Sequence, residues 1–131
     1  MSKLSTRTAA LGIMSALALG VISTAPAYAK GTQVTRRGTC THASVSKIKL
    51  GIDHGVVQTD FEVDSNRVGQ RWNVVIKDNG VVAFSGTRVT TAPSGSFTVA
   101  KNIANKPGTD NVVATAKNVT TGESCVARAS I

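Results

Sequence analysis

From Ser44 to the end of the chain, apolar and polar residues alternate with a period of two, interrupted only by turn-forming clusters. In "SVSKIKLGID", Ile48, Leu50 and Ile52 fall on one face, with Lys47 and Lys49 on the other. "VVQTDFEVD" sets Val57, Thr59, Phe61 and Val63 against Gln58, Asp60, Glu62 and Asp64, and "QRWNVVIK" sets Trp72, Val74 and Ile76 against Arg71, Asn73 and Lys77. Side chains on an extended chain point alternately to opposite faces, so this pattern specifies strands with one buried face. Four more segments follow: "VVAFSGTRV", "SFTVAK", "NVVATAK" and "SCVARAS". Asp53-His54-Gly55, Asp78-Asn79-Gly80, "TTAPSG", "NIANKPGTD" and "NVTTG" punctuate them as turns. No segment carries a helical stripe and no internal repeat is present.

Seven short strands in about 100 residues predict an all-β fold, a seven-stranded antiparallel sandwich of immunoglobulin-like or fibronectin-III-like kind. A closed barrel is the alternative. The expected core is Trp72, Phe61, Phe84, Phe97, Val74 and Ile76. At Asp78-Asn79-Gly80 a two-residue loop in a regular ladder would turn Val82 and Phe84 to solvent. A three-residue loop pairing Ile76 with Val82 keeps the apolar groups together and is the expected register, with Gly80 at positive φ. A second hairpin is expected between Asp64 and Arg71, setting Glu62 opposite Asn73 and Gln58 opposite Lys77.

The first 29 residues have a different character. Lys3 and Arg7 precede an apolar run from about Ala9 to Ile22, and Ala27-Tyr28-Ala29 offers small residues at a cleavage site. This is the layout of a secretory signal peptide, too short and too rich in Ala, Gly and Ser for a membrane anchor. The expected organisation is a cleaved leader at 1–29, a flexible N-terminal tail at 30–39 and one sandwich domain at 40–131. No transmembrane segment is expected after cleavage. The leader holds two of the fifteen bases and none of the seven acids, which leaves a net +6 on residues 30–131.

Export places Cys40 and Cys125 in an oxidising compartment, and two cysteines in one exported chain predict the disulfide Cys40–Cys125. Cys40-Thr41-His42 lacks the spacing of a structural zinc site, so no metal ligand is expected there.

The stretches "DFEVDSNRVGQRWNVVIKDNG", "SGTRVTTAPSGSFTV" and "PGTDNVVATAKNVTTGESC" resemble a group of small secreted actinobacterial proteins of unknown function. The resemblance implies an immunoglobulin-like sandwich with a terminal Cys pair and an extracellular or wall-associated location. It implies no catalytic residue and no ligand.

No nucleophile elbow, zinc-protease helix or phosphate loop occurs. His42 and His54 have no indicated nucleophile to serve, so a non-enzymatic chain without cofactors is expected. Asp60, Glu62 and Asp64 share a face and present oxygens of the kind calcium accepts, but pairing with Arg71 and Lys77 accounts for them. Asn118-Val119-Thr120 matches a glycosylation acceptor and is expected to be a turn. The positive charge favours an anionic partner such as a wall polymer. The bases are scattered along the chain (Lys47, Lys49, Lys77, Arg88, Lys101, Lys106, Lys117, Arg128), and all the aromatics of the mature chain sit at inward positions, which argues against specific nucleic-acid binding. The leading expectation is a monomeric binding module for an unknown protein or an anionic wall polymer, in the medium or at the cell envelope, contacting it through "SNRVGQ", "TTAPSG" and "NIANKPGTD". The alternative is an inhibitor of a secreted protease that presents "NIANKPGTD" as a rigid loop.

Overall fold

The computed structural model describes Gly20 and residues 31–131, so the expected leader at 1–29 lies, apart from that one glycine, outside the described residues. The strands are β1 (Gln33–Arg37), β2 (Thr39–Cys40), β3 (Val45–Asp53), β4 (Val56–Asp64), β5 (Arg71–Asp78), β6 (Val81–Val89), β7 (Ser96–Ala104), β8 (Asn111–Asn118) and β9 (Ser124–Ser130). They form two antiparallel sheets, one in the order β1-β3-β4-β7 and one in the order β2-β9-β8-β5-β6. No helix among the described residues is long and apolar enough to cross a membrane.

The seven segments legible as alternating runs are β3 to β9. Their orders β3-β4-β7 and β9-β8-β5-β6 are those of an immunoglobulin-like sandwich whose fourth strand joins the second sheet. The nine-strand count arises because, within the segment expected to be a flexible tail at 30–39, Gln33–Arg37 forms a strand and Thr39 begins another. β1 pairs with β3, from Gln33↔Gly51 to Arg37↔Lys47, and β2 pairs with β9 at Thr39↔Val126 and Cys40↔Cys125. The tail lacks apolar periodicity because edge strands bury little. Only Val34 in β1 packs against the core.

Between β1 and β2 the chain changes sheets at Gly38. A Cβ there would lie 2.3 Å from Ser46 Oγ, 2.4 Å from the Val126 carbonyl and 2.9 Å from Ala127 Cβ. Only a residue without a side chain passes through that gap. The crossing places Cys40 opposite Cys125, and the predicted disulfide forms there with the Cα atoms 4.0 Å apart. It joins neighbours within one sheet, unlike the inter-sheet bridge of antibody domains.

The inner faces of both sheets meet over Trp72, which is fully buried and lies 6.3 Å, centroid to centroid, from Phe97 at a tilt of 55°. Phe61, Val74 and Ile76 are buried around it. Phe84 is half-buried on edge strand β6, with the Arg88 guanidinium 4.8 Å above its ring.

Two expected pairings are corrected. The β5–β6 turn is the two-residue Asn79-Gly80, both at positive φ (49° and 84°), closed by Asp78↔Val81. Lys77 then opposes Val82 while Ile76 opposes Phe84, so Ala83 is an extra residue in β6. This β-bulge lets the chain keep the tight turn and still return Phe84 to the face of Ile76. A regular ladder had offered only one or the other. Secondly, β4 and β5 do not pair. The loop 65–70 crosses between sheets, and β4 lies between β3 and β7. Crossing sets the apolar face of β4 over that of β5 instead of beside it. The acids of β4 therefore meet β3: Lys47 Nζ lies 3.6 Å from Glu62, and Lys49 stands opposite Asp60.

Candidate functional site

The loops expected to make contacts do not share a surface. Residues 65–70 and 90–95 lie at the disulfide end, tied together by Ser65 N–H to the Gly95 carbonyl at 3.0 Å and Gly69 N–H to the Thr90 carbonyl at 2.8 Å. The third loop lies at the other end, where Asn105 N–H bonds to the Gly55 carbonyl at 3.1 Å. Asn102 to Ala104 belong to β7 rather than to that loop.

His42 and His54 also flank opposite ends of β3. His54 sits in the tight turn at φ 47° and pairs with neighbouring Asp53. Asp64 caps the Asn66 N–H at 2.9 Å, Glu62 is engaged with Lys47, and Asp60 points outward between Lys49 and Ala100. Both cysteine sulfurs are consumed by the disulfide. The nearby Glu123 carboxylate accepts the Ser44 N–H at 2.9 Å and the Ser44 hydroxyl at 2.8 Å. These bonds close the floor of a cleft of about 200 Å³ lined by His42, Ser65, Arg67 and Gln70. At Asn118, the side-chain oxygen accepts the N–H groups of Thr120 and Thr121, which makes the expected turn.

Charge is distributed unevenly between the two outer faces. Of the seven acids, Asp53, Asp60, Glu62 and Asp64 lie on β3 and β4. The other three, Asp78, Asp110 and Glu123, are all buried. The outer face of the five-stranded sheet therefore carries no acid, yet it exposes Arg71, Lys77, Lys117 and Arg128. None of these four has an acid within salt-bridge reach among the described residues.

The registers fix where these cations stand. Arg128, Val113 and Lys77 form one row across β9, β8 and β5. The next row is Val126, Thr115 and Val75, and the next is Ser124, Lys117 and Asn73. Arg71 is two residues further along β5. With strands about 4.8 Å apart and about 3.4 Å per residue, Arg128 and Lys77 are about 10 Å apart and Lys117 is about 14 Å from Lys77. Arg71 lies about 8 Å from Lys117 by the same spacings. Half-buried Val126, Thr115 and Val75 floor shallow depressions of about 290 and 360 Å³ between the two cationic ends.

Sequence reasoning placed Arg71, Lys77, Lys117 and Arg128 outward or on a strand but not together, because strand order is not written in the alternation. The three buried acids were also missed. Two of them carried a usable signal: Asp78 continues the inward series Trp72, Val74, Ile76, and Asp110 precedes Val112 and Ala114 in the same phase.

Comparison of the chain with protein-family models, with curated proteins and with solved structures finds no match.

Proposed function

We propose that this chain is a secreted, monomeric, non-enzymatic binding module that holds an anionic polymer of the cell envelope against the outer face of its five-stranded sheet. The observation that supports this reading is the segregation of charge. Four exposed cations stand on a face without acids, while the acids outside the core lie on the other sheet, where Glu62 pairs with Lys47 and Asp60 stands opposite Lys49. Cations spaced about 8 to 14 Å apart along a sheet suit a chain bearing phosphates or carboxylates at intervals better than one small anion. The row of Val126, Thr115 and Val75 suits the uncharged stretches between them. Phe61, Trp72 and Phe97 are buried and Phe84 lies under Arg88, so the face offers no aromatic platform for stacking bases or sugars. The signal-peptide layout, the disulfide and the resemblance to small secreted actinobacterial proteins support the location.

The test is binding of residues 30–131 to an immobilised glycerol-phosphate polymer, with neutral dextran as control, over a range of salt. The expected result is retention that weakens steeply with salt on the polyanion only. Each of Lys77→Glu, Lys117→Glu and Arg128→Glu is expected to lower affinity and flatten the salt slope by roughly one charge. Lys47→Glu and Lys49→Glu, on the opposite face, are expected to change it little. Equal loss from variants of both faces, or no retention at low salt, refutes the assignment.

A further inference from the structure

At the end of the sandwich opposite the disulfide, Asp78 and Asp110 are 0% and 1% exposed, and none of their four carboxylate oxygens receives a hydrogen bond. Asp78 closes β5 opposite Val112, and Asp110 lies two residues before Val112, so the two acids share the inner side of the same sheet. The amides around them are committed elsewhere. Asn79 N–H bonds to the Asn111 carbonyl at 2.9 Å, and Asn111 N–H bonds to Asn79 Oδ1 at 3.0 Å. Asp110 and Ile131 exchange backbone bonds of 2.9 and 3.1 Å. The cation that reaches the pair is Lys106, whose Nζ lies 3.8 Å from Asp78 Oδ2 on a side chain that is 45% exposed.

The remaining charges at this end are peripheral. Asp53 and His54 lie on the turn that bonds to Asn105, and both are exposed. Lys77 belongs to the outer face. Across β6 and β8, Asp78 faces only Val81 and Val112.

Charge balance selects the chemistry. Two ionised carboxylates side by side out of water repel, and one half-exposed ammonium neutralises only one of them. A divalent cation would neutralise both and leave Lys106 in excess beside it. One proton held between the two carboxyl groups, with Lys106 above them, makes the trio neutral.

We propose that Asp78 and Asp110 share one proton and, capped by Lys106, form a latch that closes in acid and joins the end of β5, the loop 105–110 and the last residue after β9. Burial first, and then the charge of Asp110, hold the Asp78 carboxyl above its ordinary value, and Lys106 opposes them. The folded state therefore binds the proton more tightly than the unfolded chain does. The latch stabilises fully below the ordinary carboxylate range, and its contribution is lost as pH rises through the raised folded value. Loss of the proton frees the 105–110 loop before the rest of the sandwich.

The experiment follows the carboxyl carbon resonances of Asp78 and Asp110 in the oxidised protein by NMR from about pH 3 to pH 9, alongside urea unfolding over the same range. The expected result is one coupled transition shared by both residues, above the ordinary carboxylate range, with stability declining across it. Asp78→Asn and Asp110→Asn are each expected to abolish that decline. Lys106→Met, which leaves the core intact, is expected to move the transition up by about one pH unit. Independent transitions in the ordinary carboxylate range, or a Lys106→Met transition that stays in place, overturn the proposal. So does an intact mass lower by one water, which would mean an amide, or a calcium-dependent gain in stability that Asp78→Asn removes, which would mean a cation site.

Discussion

Replacing both cysteines, Cys40→Ala with Cys125→Ala, tests how the two ends of the domain are held. The link spans 85 residues, and the chain-entropy relation assigns a loop of that length about 4.5 kcal/mol at 25 °C. The geometry gives little reason for the native state to absorb the loss. β2 is two residues long and attached to β9 by two residue pairs, so the covalent bond carries most of that attachment. Cys125 is fully buried, and its truncation leaves a void worth about a further 1 kcal/mol. The sum, about 5.5 kcal/mol, is near the lower end of the whole stability of a small domain. At about 2.1 cal/mol/K of unfolding entropy per residue, it lowers the midpoint of a domain of this size by about 25 °C. Urea unfolding followed by Trp72 fluorescence, with calorimetry beside it, measures the loss. The denaturant slope should rise, because the unfolded chain without the link is more extended. A loss below about 1 kcal/mol with an unchanged slope would show that the link does not restrict the unfolded chain, and the argument from loop length would fail.

Two further substitutions probe the rest of the frame. Trp72→Ala empties the centre of the core beside Phe97 and should cost about 3–5 kcal/mol in the same urea assay. Gly38→Ala drives a methyl group into the Val126 carbonyl and the Ser46 hydroxyl, and should destabilise by about 1–3 kcal/mol. In that variant hydrogen exchange at β1 and β2 should accelerate before exchange at β5 and β8 does.

The alternation alone determined a good deal. Period two placed every strand from β3 to β9 and turned Ile48, Phe61, Trp72 and Val74 inward, because each strand's apolar face must leave water whichever neighbour it meets. Two thiols in a chain expected to be exported likewise left one pairing, and it is the one found. Tertiary structure decided whatever depends on which strands are neighbours. Alternation is a property of a single strand and holds no record of its partner. The β4–β5 crossing, the bulge at Ala83 and the pairing of β1 with β3 were therefore settled by closure of two apolar layers over one core. The same closure gathered Arg71, Lys77, Lys117 and Arg128, drawn from three strands, onto one face. It also buried Asp78 and Asp110, 32 positions apart in the sequence, at the same end of one sheet. In the linear chain those charges are dispersed. They act on one another and on a partner only at distances of a few ångströms, and folding alone sets those distances.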